Sequence, residues 1–281
     1  MNIYIFIEIK RRELSARLLL ALEAANRGHE VYMGDISPFL KRNLFNPGII
    51  HHKSLTPKKN RIKDMINLNK KSFVFTSQDE ETGLINPAKD YLNSRYGAST
   101  LKLVKKVFTW GKFDLENLMK RYPQFKKKFF NTGNPRTDFW KAKNKNFYDK
   151  NIVKYKDYIL ISSNFETICS YMNLPVTLNL LRDLGYFQRG MTEEQIINKA
   201  TKEQIIFEKF VALIKKISLK FPKKKIIFRP HPIEKVQYWK IIFEKYKKNI
   251  VVDNSNEIGY WITNCSHVIH NGCTGGMEAA L

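Results

Sequence analysis

Apolar residues recur along this chain in two alternating patterns. Short β-type runs occupy residues 2–9, 30–34, 73–76, 106–109 and 129–133, with helical-period stretches between them. The stretch 12–27 carries Leu14, Leu18, Ala21, Leu22 and Ala25 at helical spacing, and Gly28 stops it. Strand, helix and strand make a βαβ opening whose first strand is buried. Helices fit 87–96 and 115–121, so the first half predicts an open, mostly parallel sheet. Residues 141–157, rich in Lys, Asn and Tyr, lose the periodicity and read as a linker. A second alternation starts at 158–161. It runs through a long amphipathic helix over 192–220, with Thr192 ahead of Glu194 and Gln195 as its N-terminal cap, and through strands at 225–228, 250–252 and 267–269. The expected fold is α/β, a pair of Rossmann-type domains with mostly parallel sheets: residues 1–140, a linker at 141–157, and residues 158–281. The chain stops inside an opening helix at 277–281, so the second domain is expected to be incomplete.

Composition narrows the partners. With 43% hydrophobic residues, including 19 Phe and 13 Tyr, the chain can build real cores and is not disordered. The 49 Lys+Arg against 26 Asp+Glu give +23, a charge that favours polyanions. Most of the excess is Lys scattered over the sequence, which reads as a solvated face. The Lys runs at 126–128 and 223–225 lack the aromatic interleaving of a nucleic-acid-binding sheet, so no specific nucleic-acid partner is expected. Cys169, Cys265 and Cys273 form no CxxC pair, as in a reduced cytoplasmic setting. The first residues lack the order of a secretory signal, and no apolar stretch nears the ~18 residues that cross a bilayer. Membrane contact is expected to be peripheral.

Four loops follow the ends of expected parallel strands, where open α/β sheets bind ligands. They are residues 10–13, 162–164, 229–234 and 271–276. The last is the most informative. From His270 through Asn271, Gly272, Cys273, Thr274, Gly275 and Gly276 to Glu278 the sequence reads strand, glycine turn, helix start. Glycines let a backbone approach phosphate, and the first N–H groups of the helix point at the anion. Glu278, one turn in, is placed to reach a ribose hydroxyl. An ordinary tight turn between strand and helix fits the same residues. In Arg229-Pro230-His231-Pro232 the prolines fix the backbone. His231 is then set to donate to a phosphate or to act as acid or base, and Arg229 offers a planar cation. A rigid proline turn with a surface histidine is the competing reading. His270 is a second candidate or a satisfied strand-end residue, and His51 and His52 fall in a polar loop. No HExxH, DxD or GxSxG occurs, so neither a metal site nor a serine hydrolase is expected.

Gly133-Asn134-Pro135-Arg136-Thr137-Asp138, Arg229-Pro230-His231-Pro232 and the run from His270 to Glu278 together resemble motifs of the GT-B glycosyltransferases of bacterial surface polysaccharide synthesis. The opening Arg12-Glu13-Leu14 is similar to that of the surface carbohydrate biosynthesis proteins. The first two motifs are also similar to those of the teichoic-acid glycerophosphotransferases and the capsule Kdo transferases. The resemblance implies two Rossmann-like domains across a cleft and a cytidine-activated donor. The spacing from Gly272 to Glu278 is similar to the donor site of the peptidoglycan N-acetylglucosamine transferases. That implies Glu278 on the donor ribose and Gly272, Cys273, Thr274, Gly275 and Gly276 with Arg229 at the donor phosphates. The run 271–274 stands where the glycerophosphotransferases carry Asp-Tyr-Ser-Ser, which favours a sugar donor over glycerol phosphate.

The expectation is therefore glycosyl transfer from a nucleotide sugar to a glycan or lipid-linked acceptor, in the cytoplasm, with peripheral contact at an anionic membrane face. No cofactor and no metal are expected, because Arg229, His231 and the helix start after Gly272 can neutralise the leaving phosphate. His231 and Glu13 are the catalytic candidates. Arg12, Ser163, Asn164, Arg136 and His270 are further residues of the cleft. The rivals are a nucleotide-sugar epimerase on the same scaffold, which would need no acceptor, a non-catalytic nucleotide-sugar or polyanion binder, and a nucleic-acid binder with steep salt dependence.

Overall fold

The computed structural model describes all residues except 36, 43, 81–87, 142–147, 149–153, 190 and 281. The chain forms two compact units, Met1–Phe139 and Trp140–Leu281. Most of the expected linker lies outside the described residues. Within that span Tyr148 is buried in the second unit, its ring packed against Gly259 and edge-on to Tyr260 at 4.8 Å.

The first unit runs β1 (Asn2–Phe6), α1 (Lys10–Asn26), β2 (Glu30–Gly34), α2 (Ser37–Lys41), β3 (Gly48–His52), α3 (Lys59–Lys70), β4 (Val74–Gln78), α4 (Ala88–Arg95), α5 (Ala98–Leu103), β5 (Val104–Thr109), α6 (Lys112–Arg121), β6 (Phe129–Asn131) and α7 (Pro135–Trp140). Its strands are all parallel, in the order β2-β1-β3-β4-β5-β6 among the described residues. Tyr4, Ile50, Phe75, Val104 and Val107 of the sheet pack with Met65, Leu101 and Leu118 of the helices. Each such side chain, fully buried, contributes about 1.5–3 kcal/mol. The chain leaves β1 for β2 on one side and returns to β3 on the other. The strand order therefore switches between β1 and β3, and ligands of open sheets sit outside the ends of two such strands.

Three expectations for this unit are corrected. Residues 10–13 are the first turn of α1, not a loop. His51 and His52 belong to the central strand β3 instead of a polar loop. On α1, Leu18 and Leu22 are exposed, while Glu13 and Arg17 occupy the buried face with Ala16 and Ala21.

The second unit runs β7 (Tyr158–Ser162), α8 (Leu174–Asp183), α9 (Glu193–Lys220), β8 (Ile226–Arg229), α10 (Val236–Ile242), β9 (Ile250–Val252), α11 (Ile258–Ile262), β10 (Cys265–His270) and α12 (Thr274–Ala280). The strands are parallel in the order β10-β7-β8-β9, so the switch lies between β7 and β10. One face of the sheet buries Phe165, Phe207, Phe210, Ile214, Phe228, Trp239 and Phe243. The other buries Tyr158, Leu160, Ile227 and Trp261. α9 starts as its sequence implies: Gln195 N–H donates to Thr192 Oγ1 at 3.1 Å, and Thr192 N–H donates to Gln195 Oε1 at 2.9 Å. Among the described residues no helix is long and apolar enough to cross a membrane.

Candidate functional site

Register sets the geometry of the second unit. His270 pairs with Ser162, and Ser162 pairs with Arg229. The ends of β10, β7 and β8 are therefore level, and at ~4.8 Å per strand the backbone of Arg229 lies about 10 Å from that of His270. The loops 163–165, 230–234 and 271–273 leave the sheet along this one line.

Side chains lock these loops together. Asn164 N–H donates to Asn271 Oδ1 at 2.7 Å, Asn271 Nδ2 donates to the Asn164 carbonyl at 3.2 Å, and Asn164 Nδ2 donates to the Gly272 carbonyl at 3.0 Å. The switch point is thus closed by a reciprocal amide pair. Gly272 has φ +93°, a conformation that glycine adopts without strain, and its N–H donates to His270 Nδ1 at 3.2 Å. An accepting Nδ1 puts the proton of the neutral ring on Nε2. The ring then lies over Gly276, where any Cβ would overlap it. His231 makes the same turn, with Ile233 N–H donating to its Nδ1 at 3.3 Å.

Two expected phosphate ligands are engaged within the protein. Gly276 N–H donates to the Cys273 carbonyl at 3.1 Å, and the Gly275 and Gly276 amides and Ser162 surround the Cys273 thiol. Burial raises the Cys273 thiol pKa, those donors oppose the rise, and Glu278 adds to it. Sulfur is a weak acceptor, so a phosphate oxygen can replace it. Arg229 is buried and donates from Nη2 to the Asn256 carbonyl at 2.7 Å, bracing the loop after β9. Glu278 is buried, with 6% exposure.

Glu234 stood unassigned in the sequence motif, yet it joins two of these loops. It is fully buried. Its Oε1 accepts from Phe165 N–H at 2.8 Å, and its Oε2 accepts from Ser163 Oγ at 2.7 Å and Trp239 Nε1 at 2.7 Å. Burial raises its pKa, and these donors pull against that.

The first unit holds a separate constellation at its own switch point. Lys53, just past β3, pairs with Glu13 at 2.7 Å and Glu8 at 2.5 Å. Arg12 reaches Glu13 at 3.3 Å, and Glu8 N–H donates to Glu13 Oε2 at 2.9 Å. Arg17 pairs with Glu80 at 2.6 Å, the two side chains only 3% exposed each. Arg95 pairs with Asp79 at 2.9 Å. Burial raises the Glu13 pKa, but the bond from Lys53, the Glu8 amide and the charges of Lys53 and Arg12 outweigh it and leave Glu13 below its usual value. Glu80 is raised by burial, although Arg17 and Arg136 oppose the rise. His51 Nδ1 lies 2.9 Å from Thr76 Oγ1, and burial together with the charges of Arg17 and His52 holds the ring well below its usual pKa. His52, whose Nδ1 accepts from Ser54 N–H at 3.2 Å, is pushed down to about 3 by burial and by Arg61, Lys53 and Arg17. Enclosed atoms of Arg17 (Nε), Glu80 (Oε2), His51 (Nε2) and Asn134 (Nδ2) have no hydrogen-bond partner among the described residues.

The structure thus gathers Ser163, Asn164, Arg229, His231, His270, residues 272–276 and Glu278 in the second unit. Arg12, Glu13 and Arg136 gather around Glu80 in the first. Arg17, Lys53, Asp79 and Glu80 were missed. The signal that marks them is charge on the buried face of α1 and at strand ends, where apolar residues are the rule. Among the described residues no group of three or more His, Cys, Asp or Glu is arranged to hold a metal ion.

No protein-family model matches the chain, and no curated protein matches its sequence. The likeness lies in the fold. Over 98% of its length the chain resembles the UDP-GlcNAc 2-epimerase from Neisseria meningitidis bound to UDP-GlcNAc, with a TM-score of 0.57 at 11% identity, covering 78% of that chain. The S. aureus MnaA–UDP structure gives 0.54 at 11% identity, over 98% of this chain and 74% of that one. A putative UDP-N-acetylglucosamine 2-epimerase from Listeria monocytogenes gives 0.54 at 10% identity, over 99% and 76%. At such identities the comparison establishes the fold, the GT-B-like α/β architecture of Rossmann-type units expected from the sequence.

Proposed function

We propose that this protein is an enzyme acting on a nucleotide sugar, with the donor diphosphate at the β7–β10 switch point of the second unit. The observation that carries this reading is the level line of His270, Ser162 and Arg229, with the glycine turn hanging from its end. In this reading His270 and His231 donate from Nε2 to phosphate oxygens, and Arg229 supplies fixed positive charge behind them. The Gly275 amide, beside the Cys273 thiol, turns to a phosphate oxygen. Glu278 holds the donor ribose. His231, with its proton on Nε2, serves as a hydrogen-bond donor to the departing phosphate, not as a base. Glu13, enclosed by Lys53, Arg12 and the Glu8 amide, is assigned to holding the strand ends of the first unit together.

For the reaction we place glycosyl transfer to a surface glycan or lipid-linked acceptor first, on the motif resemblance. Epimerisation is the second reading, favoured by the likeness to UDP-GlcNAc 2-epimerases over almost the whole chain. Both need the nucleoside diphosphate held firmly while the sugar reacts. The test begins with calorimetric titration of UDP, UDP-GlcNAc, CDP and CMP-linked sugars. NMR of the bound donor follows, with and without glycan acceptors. Release of free nucleotide only when acceptor is present supports transfer, and a stereochemical change without acceptor supports epimerisation. If no nucleotide or nucleotide sugar binds, or if Glu278→Gln and His231→Ala bind and turn over as the wild type does, the site assignment fails.

A further inference from the structure

The exposed face of α9 carries a regular stripe that the nucleotide-sugar reading leaves unused. The helix buries Phe207, Phe210, Val211, Ile214 and Ser218 against the sheet. On the opposite side, residues 202, 206, 209, 213, 216 and 220 recur at spacings of four and three, so they share one face. In order they are Lys202, Ile206, Lys209, Leu213, Lys216 and Lys220, all exposed, and none of the four lysines forms an ion pair among the described residues. Ile206 is 49% exposed and Leu213 is 45% exposed. The stripe is about 27 Å long at 1.5 Å per residue. It contains no acidic residue. Glu203 and Glu208 lie on other faces of the helix, and the exposed Phe221 follows its C-terminal end.

We propose that this stripe of α9 docks the protein on an anionic lipid surface. The residue types decide among the occupants. Lysine keeps its ammonium in the headgroup layer while its methylene stem lies along apolar surface, and isolated aliphatic side chains between such lysines enter the acyl boundary. A nucleic acid would use the lysines and leave Ile206 and Leu213 in water. A stable protein interface needs roughly 800 Å² per partner and favours Tyr, Trp and Arg, and the stripe has none of these. The chain's +23 charge acts in the same direction at longer range. The proposal does not depend on what the second unit binds.

The test is co-sedimentation of the full chain with phosphatidylcholine vesicles, with and without phosphatidylserine. Binding is expected only with phosphatidylserine, and it should weaken as salt is raised. The Lys202→Gln, Lys209→Gln, Lys216→Gln triple variant should bind about a hundredfold more weakly, since each basic residue near such a surface is worth about fivefold. Ile206→Ser with Leu213→Ser should also weaken vesicle binding while leaving binding to a duplex oligonucleotide unchanged. All of these side chains are exposed, so the variants should melt with the wild type. A control triple, Lys102→Gln, Lys105→Gln and Lys120→Gln, makes the same charge change in the first unit and should bind vesicles nearly as well as wild type. The proposal is overturned by equal binding to neutral vesicles, or by equal losses in the control triple. It is also overturned if the Ile206 and Leu213 changes leave vesicle binding intact, or if they instead abolish a dimer seen by light scattering.

Discussion

Glu234 gives the sharpest test of how the second unit is held together. Its carboxylate faces three donors: the Phe165 amide, the Ser163 hydroxyl and the Trp239 indole. Two of the three cannot turn round. In Glu234→Gln the new oxygen can serve only one side of this cage. If it takes the Phe165 amide, the new NH2 confronts Trp239 Nε1–H; if it takes Trp239, the NH2 confronts the Phe165 N–H. Either way one buried donor loses its partner, at a cost of about 1–3 kcal/mol. Glu234→Ala strands all three donors and should cost more, roughly 3–5 kcal/mol, with water entering the vacated space to offset part of it.

A double-mutant cycle isolates the cause. Trp239→Phe removes the conflicting donor, and its own packing loss cancels in the cycle. Glu234→Gln should therefore cost less on the Trp239→Phe background than on the wild type, with a coupling of about 1–3 kcal/mol. Urea unfolding measures this, provided the m-values agree among the four proteins. The same cycle should appear in binding. Glu234 fixes residues 163–165, and Asn164 in turn holds Asn271 and Gly272. Nucleotide-sugar affinity should fall in Glu234→Gln and recover in the double variant. A coupling within about 0.5 kcal/mol of zero, the usual additivity limit, would refute the cage.

Three further outcomes are expected. Gly276→Ala places a methyl in the His270 ring and should expel it, with a loss of about 1–3 kcal/mol in stability and a changed His270 NMR signal; an unmoved signal contradicts the packing. Arg17→Met leaves the Glu80 carboxylate buried without its cation and should cost about 3–5 kcal/mol in urea unfolding, whereas Arg17→Met with Glu80→Leu should recover most of it. His51 and His52 are held neutral in the fold, below an unfolded pKa of about 6.5, so the stability they contribute is full above that pH and is lost as pH falls. The loss should approach about 1.4 kcal/mol per pH unit for each ring, and a His51→Gln, His52→Gln variant should show a flatter profile.

The sheet order is a consequence of pairings that no local pattern contains, but the elements themselves were largely legible. β2 and β9 coincide with their apolar runs, and α9 begins at the cap that Thr192 and Gln195 spell out. The failures fall where chemistry displaces packing. β3 was missed because a central parallel strand is expected to be continuously apolar, and this one ends in two histidines beside Lys53. The inward face of α1 was misjudged because Glu13 and Arg17 take the positions that Leu18 and Leu22 seemed to claim. Both errors point to the same place, the charged strand ends of the first unit, as a site under functional constraint would produce. The histidines show the limit most clearly. His52, His231 and His270 each stand at or just past a strand end, and each accepts the N–H of the residue two positions on. Sequence sets His231 and His270 at expected strand ends and His52 in a polar loop, and it shows this turn at none of them. The turn assigns the neutral proton to Nε2 and makes each ring a donor at that atom. For His231 it replaces an open choice between acid and base with the one role of hydrogen-bond donor, and His270 takes the same role. That role suits an anionic ligand, and it is why the reading of the second unit rests on phosphate recognition more than on proton abstraction.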